Sequence, residues 1–179
     1  MPRVIAVHKH AKHCFSKETV ESIELVAGHG VRGDAHFGVT VKHRSRVAKN
    51  SAQPNLRQVH LLHEELLEEL EQGRFDVAPG RMGENITTRG IDLLQLPADA
   101  ELQIGEHAVI RITGLRNPCG QIEKFRTGLL AAVLSRAADG KLVRKAGVMA
   151  VVERGGIVHP GDTLTVIRTP AVHVPLEPV

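Results

Sequence analysis

The sequence predicts a mainly β protein: a closed or partly closed β-barrel with peripheral α-helices. Three observations carry this. About eight short segments have strand character, only two stretches have a clear helical pattern, and the connecting loops are long and rich in glycine. No regular βαβ alternation is visible. At 179 residues the chain reads as a single domain over 1–179, with a core over about 20–168 and a loose Pro-rich tail at 170–179.

Taken in order, RVIAVH (3–8) and VESIELV (20–26) are rich in Val and Ile over strand lengths. Residues 34–55 then form a long polar, basic loop. RQVHLLH (57–63) reads as a strand, and HEELLEELEQG follows as a helix. Its His63, Leu66, Leu67 and Leu70 share one face, and Gly73 stops it. A second loop, PGRMGENITTRG, covers 79–90. IDLLQL, AELQIG and HAVIRITG are expected to be short strands, with IGEH (104–107) as a hairpin corner. GLLAAVLSRAADG (128–140) is the second expected helix, and AGVMAVVE and GDTLTVIR close the chain as strands.

Composition excludes several function classes. With four Phe, no Trp and no Tyr, and a formal charge of only +3, the chain lacks the stacking platforms and the strong basic field of a nucleic-acid binder. No segment approaches the run of about 20 apolar residues that a membrane span needs. Two cysteines, neither in a CxxC pair, do not make a disulfide framework, and with no signal peptide apparent a cytoplasmic location is expected.

GHGVRG (28–33) fits GxGxxG, but no helix opens after it and no acid lies between Asp34 and Glu64, so a dinucleotide site is rejected. HKHAKHC places His8, His10, His13 and Cys14 close together. Interleaved Lys9 and Lys12 favour a solvated edge, with a zinc-binding cluster as the alternative. Residues 35–63 contain Lys42, Arg44, Arg46, Lys49 and Arg57 with no acid, together with His36, His43, His60 and His63. Because this charge is carried on a loop, it points to an anionic small molecule such as a phosphate. In PGRMGENITTRG, Glu84 and Asn85 follow Gly83, where backbone can approach a ligand closely.

LRNPCGQ sets Cys119 between Pro118 and Gly120, three residues after Arg116. A nearby cation, and a helix beginning near Gln121, would both favour the thiolate. Free cysteine is also a common buried filler. Residue chemistry leaves open a reactive thiol, a metal ligand and a turn residue.

GVRGDAHFG (30–38), RQVHLLHEEL (57–66), PGRMGENITTRGIDL (79–93), LRNPC (115–119) and GGIVHPGDTL (155–164), taken in sequence, resemble the MOSC domain, the C-terminal domain of molybdenum cofactor sulfurases that also occurs as small stand-alone bacterial proteins. The resemblance runs over roughly residues 20–168. It implies a β-barrel with flanking helices that binds the pterin-based molybdenum cofactor. Cys119 takes the place of the family's cysteine, which follows an Asn-Pro or Arg-Pro pair and carries sulfur or ligates molybdenum. Asp34 and His36 match the acidic and imidazole positions of the family, and Glu84 and Asn85 match its GEN block. Lys42, His43, Arg44 and Arg57 are expected to face the pterin phosphate, with Arg116 and Asn117 beside the thiol. The activities implied are sulfur transfer, or reduction of N-hydroxylated compounds with a separate electron donor. Partners would be a cysteine desulfurase or an electron-transfer protein. The pyridoxal-phosphate domain of full sulfurases and the N-terminal barrel of the amidoxime reducers have no counterpart in the 179 residues, so autonomous sulfur generation is not expected. Cys14 is expected to be a bystander.

Overall fold

A computed structural model describes every residue except His43, and for Arg44 and Ser45 it describes only the backbone. The chain begins with β1 (Arg3–Lys9), β2 (Glu18–Val20), β3 (Ile23–Val26) and β4 (Gly30–Val31), then the helical turn α1 (Arg44–Val47). β5 (Val59–His63) leads directly into α2 (Glu64–Gln72), and β6 (Ile86–Arg89) follows. β7 (Glu101–Ile104) and β8 (Ala108–Leu115) form a hairpin. After them come α3 (Gly120–Phe125), α4 (Leu129–Ala132), β9 (Leu134–Arg136), β10 (Leu142–Arg144), β11 (Val148–Arg154), β12 (Gly156–Val158) and β13 (Leu164–Arg168).

Eight strands make one mixed sheet in the order β13-β7-β8-β11-β5-β6-β1-β2. Only the β5–β6 pair is parallel. β12, β3 and β4 form a second sheet, and β9 and β10 a separate hairpin. Mainly β architecture is therefore as expected, but among the described residues no sheet closes into a barrel. β2 and β13 remain edges of the large sheet. Val4 N donates to Asp162 O (2.8 Å) and Leu164 N to Pro2 O (3.0 Å), which draws the start of β1 toward β13 without forming a ladder between them.

Several local expectations change. IDLLQL is a 3₁₀ turn at Leu93–Gln95, where the Asp92 side chain accepts from Leu94 N and wins over strand propensity. The helix expected over 128–140 is one turn long. Asp139-Gly140, with Gly140 at φ 81°, folds the rest into the β9–β10 hairpin. ITTR, read as loop, is β6 in the middle of the sheet. The core also starts earlier than residue 20, since Val4 and Val7 of β1 are fully buried. Nor is the tail loose. Leu176 is buried, Leu115 N donates to Glu177 O (2.9 Å), and Val179 N donates to Leu115 O (3.2 Å).

Two apolar cores flank the large sheet, and the period-2 alternation of its strands assigns side chains to them. On β5, Val59 and Leu61 enter the core shared with the small sheet, while Leu62 joins Leu66 and Leu70 of α2, Met82, Ile122 and Leu129 on the opposite side. On β11, Val148, Ala150 and Val152 belong to the first core. The same alternation turns His60 and Met149 to the second side, where the loops after β1 and β8 converge. Among the described residues, no helix is long and apolar enough to cross a membrane.

Candidate functional site

Cys119 sits at the N-cap of α3 in extended conformation (φ −133°, ψ 173°), with Ile122 N donating to its carbonyl at 3.0 Å. Pro118 cannot continue β8 as a ladder strand, so the chain leaves the sheet here and the thiol points into a cavity. The sulfur lies 3.9 Å from Gln121 Oε1. The cavity, about 90 Å³, is also lined by His36, Arg57, Asn85, Arg116 and Asn117, so six of the sequence-predicted residues meet there. Asn117 is exposed at its rim.

Cationic groups dominate the lining. Arg116 is 9% exposed, its guanidinium carbon lies 5.6 Å from the centre of the Phe15 ring, and its Nη1 has no hydrogen-bond partner. Burial lowers its pKa, opposed by the charges of Cys119 and Glu84. Burial, with Arg46 and Arg116 nearby, brings Arg57 down to about 10, again with Cys119 pulling the other way. Both guanidiniums lie on the cavity that Cys119 lines. Lys17 is a third cation on the lining. Its ammonium is buried and lies 2.8 Å from Asp34 Oδ1. Burial lowers its pKa, and Asp34 opposes this.

Asp34 and Glu84 support this cavity and do not line it. Asp34 Oδ1 accepts from Lys17 Nζ, from His10 N (3.2 Å) and from Asn85 Nδ2 (3.2 Å), while Oδ2 accepts from His36 N at 3.0 Å. Burial works against its charge, but His36 and Lys17 outweigh this and hold the carboxyl well below the usual carboxylate range. Asn85 ties the loops to the sheet. Its Oδ1 accepts from His60 N (3.1 Å), and its backbone N donates to His60 O (2.8 Å). Glu84 is fully buried. One carboxylate oxygen accepts from Gly80 N and from Thr87 Oγ1 (3.1 Å), and burial raises its pKa. His60 Nε2 donates to Ala146 O at 2.8 Å, and burial keeps the ring neutral.

A second cavity of about 320 Å³ adjoins the first, sharing His36 and Arg57. Lys42, Arg46 and Asn55 line it, with Pro178 and Val179 of the docked tail. Asn55 Nδ2 donates to both His36 O and Gly38 O (2.9 Å each), pinning the basic loop here. His43 lies outside the described residues. Arg44 opens α1, and its side chain is likewise not described.

Sequence reasoning missed Lys17, Phe15, Met82, Met149 and Cys14 on the first cavity. Only the strand alternation of AGVMAVVE could have signalled Met149. Cys14, expected to be a bystander, is exposed and lines the cavity of Cys119. The zinc alternative is corrected. Fully buried His8 has its ring nitrogens 3.0 Å from Thr19 Oγ1 and Thr87 Oγ1, and His10 Nδ1 is 3.0 Å from Lys12 N and O. Among the described residues, no three His, Cys, Asp or Glu side chains converge as a metal-holding group.

The family model of the MOSC domain matches residues 32–165. No curated protein matches the chain. Among solved structures, the YuaD protein from Bacillus subtilis is 25% identical, with a TM-score of 0.70 over 92% of this chain and 94% of that one. YiiM from Geobacillus stearothermophilus is 14% identical, with a TM-score of 0.67 over 98% of this chain and 80% of that one. YiiM from Escherichia coli is 20% identical, with a TM-score of 0.61 over 96% of this chain and 73% of that one.

Proposed function

This chain belongs to the MOSC domain family, and on that premise we propose that it binds the molybdenum cofactor or a related phosphorylated pterin, with Cys119 as sulfur carrier or molybdenum ligand. The observation that carries the reading is the meeting of Cys119, Arg57 and Arg116 in one cavity that continues into a second, basic one. The residues suit such a group. The unpartnered Nη1 of Arg116 is a buried donor that an anionic ligand would satisfy. The second cavity has the size of a small-molecule site. When bound, the cofactor would supply a thiophilic metal centre that exchanges sulfur and oxygen ligands.

The chain's own residues then have separable tasks. Lys42, Arg46 and Arg57 hold the phosphate by charge, in the cavity they line. Arg57 and Arg116 line the cavity that Cys119 faces and offer positive charge to an anion bound beside its sulfur. Asp34 fixes Lys17 and Asn85 and accepts from the His36 backbone, keeping the cavity walls in place before a ligand arrives. The chemistry is sulfur transfer or the reduction of N-hydroxylated compounds, in the cytoplasm, with a cysteine desulfurase or an electron-transfer protein as partner.

The test is expression in cells that make the cofactor, followed by metal analysis. The wild type is expected to carry molybdenum and the Cys119→Ala variant to lose it. Equal content in both, or none in either, sinks the ligand role. A carrier without turnover is the second reading, favoured by the partly exposed Cys119 thiol and its long, weak contact with Gln121 Oε1. It predicts that Cys119 takes up sulfur from a cysteine desulfurase, seen as an adduct when Cys14 is replaced by serine, and that no N-hydroxylated purine is reduced.

A further inference from the structure

Cys14 and Cys119 are far apart in sequence, yet both line the same cavity of about 90 Å³. Cys14 is not on a free loop. Ser16 Oγ donates to Arg81 O at 2.9 Å, and Lys17 N donates to Gly80 O at 2.8 Å. Next to Cys14, the Phe15 ring packs 5.0 Å from the Phe125 ring and beneath the Arg116 guanidinium. Arg116 precedes Cys119 and Phe125 ends the helix that follows it, so one ring ties the Cys14 segment to both sides of the second thiol. Arg116, whose buried Nη1 has no hydrogen-bond partner, and Arg57 line the same cavity.

We propose that Cys14 is the resolving thiol for sulfur held on Cys119. This rests on the reading of Cys119 as a sulfur carrier. The Cys14 thiolate attacks Cys119 Sγ of the persulfide. A bond forms between the two protein sulfurs, the bond between Cys119 Sγ and the outer sulfur breaks, and that sulfur leaves with the electron pair as hydrosulfide. Sulfane sulfur is reduced and the two thiols become a disulfide, so no outside oxidant is needed. Arg57 and Arg116, on the wall of the same cavity, offset the negative charge of the leaving hydrosulfide. A dithiol reductant then returns the pair to thiols and is itself oxidised to a disulfide. The cavity thereby discharges sulfur when no acceptor fills it.

The test uses reduced wild-type protein and the Cys14→Ser and Cys119→Ser variants, each exposed briefly to inorganic polysulfide, desalted, and followed by intact mass and by a hydrosulfide assay. Cys14 is exposed, so serine there leaves the core packing alone. Cys14→Ser is expected to keep a one-sulfur adduct. Wild type is expected to lose the adduct, release one hydrosulfide per chain, and finish two hydrogens lighter than the reduced protein, with the peptides containing residues 14 and 119 linked. Cys119→Ser should yield no linked peptides. A wild-type adduct that persists as long as that of Cys14→Ser, or that disappears without linked peptides, overturns the resolving role alone. Failure of Cys14→Ser to take up sulfur overturns the carrier role of Cys119, and the resolving step falls with it.

Discussion

Asp34 shows how this site spends buried charge. Its carboxylate has no exposed surface, and Lys17, the His36 ring, two backbone amides and Asn85 share its two oxygens. Such an arrangement offsets desolvation only while every partner is present. His8 is governed by the opposite balance. Burial, with Lys17 nearby, lowers its pKa from 6.5 to about 4. A group whose folded pKa is depressed binds protons more readily in the unfolded chain, so its effect on stability is nil above the unfolded value and grows as pH falls toward the folded one. Between pH 6.5 and 4, His8 should therefore cost the fold roughly 3 kcal/mol. Buried His60 acts in the same direction. Asp34 contributes only lower, because its stabilisation is lost as pH falls below the ordinary carboxylate range. Urea unfolding at successive pH values is expected to show a steep loss from pH 6.5 to 4. His8→Gln, which keeps hydrogen-bonding groups for Thr19 and Thr87 but cannot titrate there, should flatten that slope.

The elements that build the cavity are central strands and the loops leaving them. β11 pairs with β5 on one side and β8 on the other, and the loop that enters it passes close to β5. Gly147 makes this approach with φ 87°, and a Cβ there would collide with Leu61 O and meet His60 Nε2 at 3.0 Å. Gly147→Ala thus combines backbone strain with displacement of strand β5. A loss of about 2–4 kcal/mol is expected, together with weaker sulfur or metal loading because His60 and Met149 shift with the strands. Unfolding midpoints and loading measured on the same preparation check both parts. An undiminished midpoint would show that β5 yields at no cost.

At the scale of the whole molecule, the docked C-terminal segment completes the second cavity and covers part of the first core. Leu176 is 7% exposed within that core, and a Cβ on Gly114 would strike Glu177 O and Val179. Leu176→Ala should cost about 2–4 kcal/mol, and Gly114→Val should release the segment and open the second cavity. Faster amide exchange at Leu115, which bonds Glu177 and Val179, would report that release.

The grouping of Cys119 with Arg57 and Asn85 came only from the family resemblance. The mainly β character, the long helix after β5 and the hairpin corner at 104–107 were legible in the residues, because strand alternation, caps and turn chemistry act over a few positions. Openness of the large sheet was not, since strand pairing between β1 and its neighbours depends on contacts far apart in sequence. IDLLQL and the segment after Ala132 misled for a related reason. Apolar runs fit several local conformations, and a side-chain cap or an Asp-Gly turn selects among them. Spacing alone set Cys14 among local histidines. Packing of Phe15 against Phe125 and Arg116 instead carried it to the second thiol, because burial of an aromatic ring outweighs the local preferences of a short polar loop.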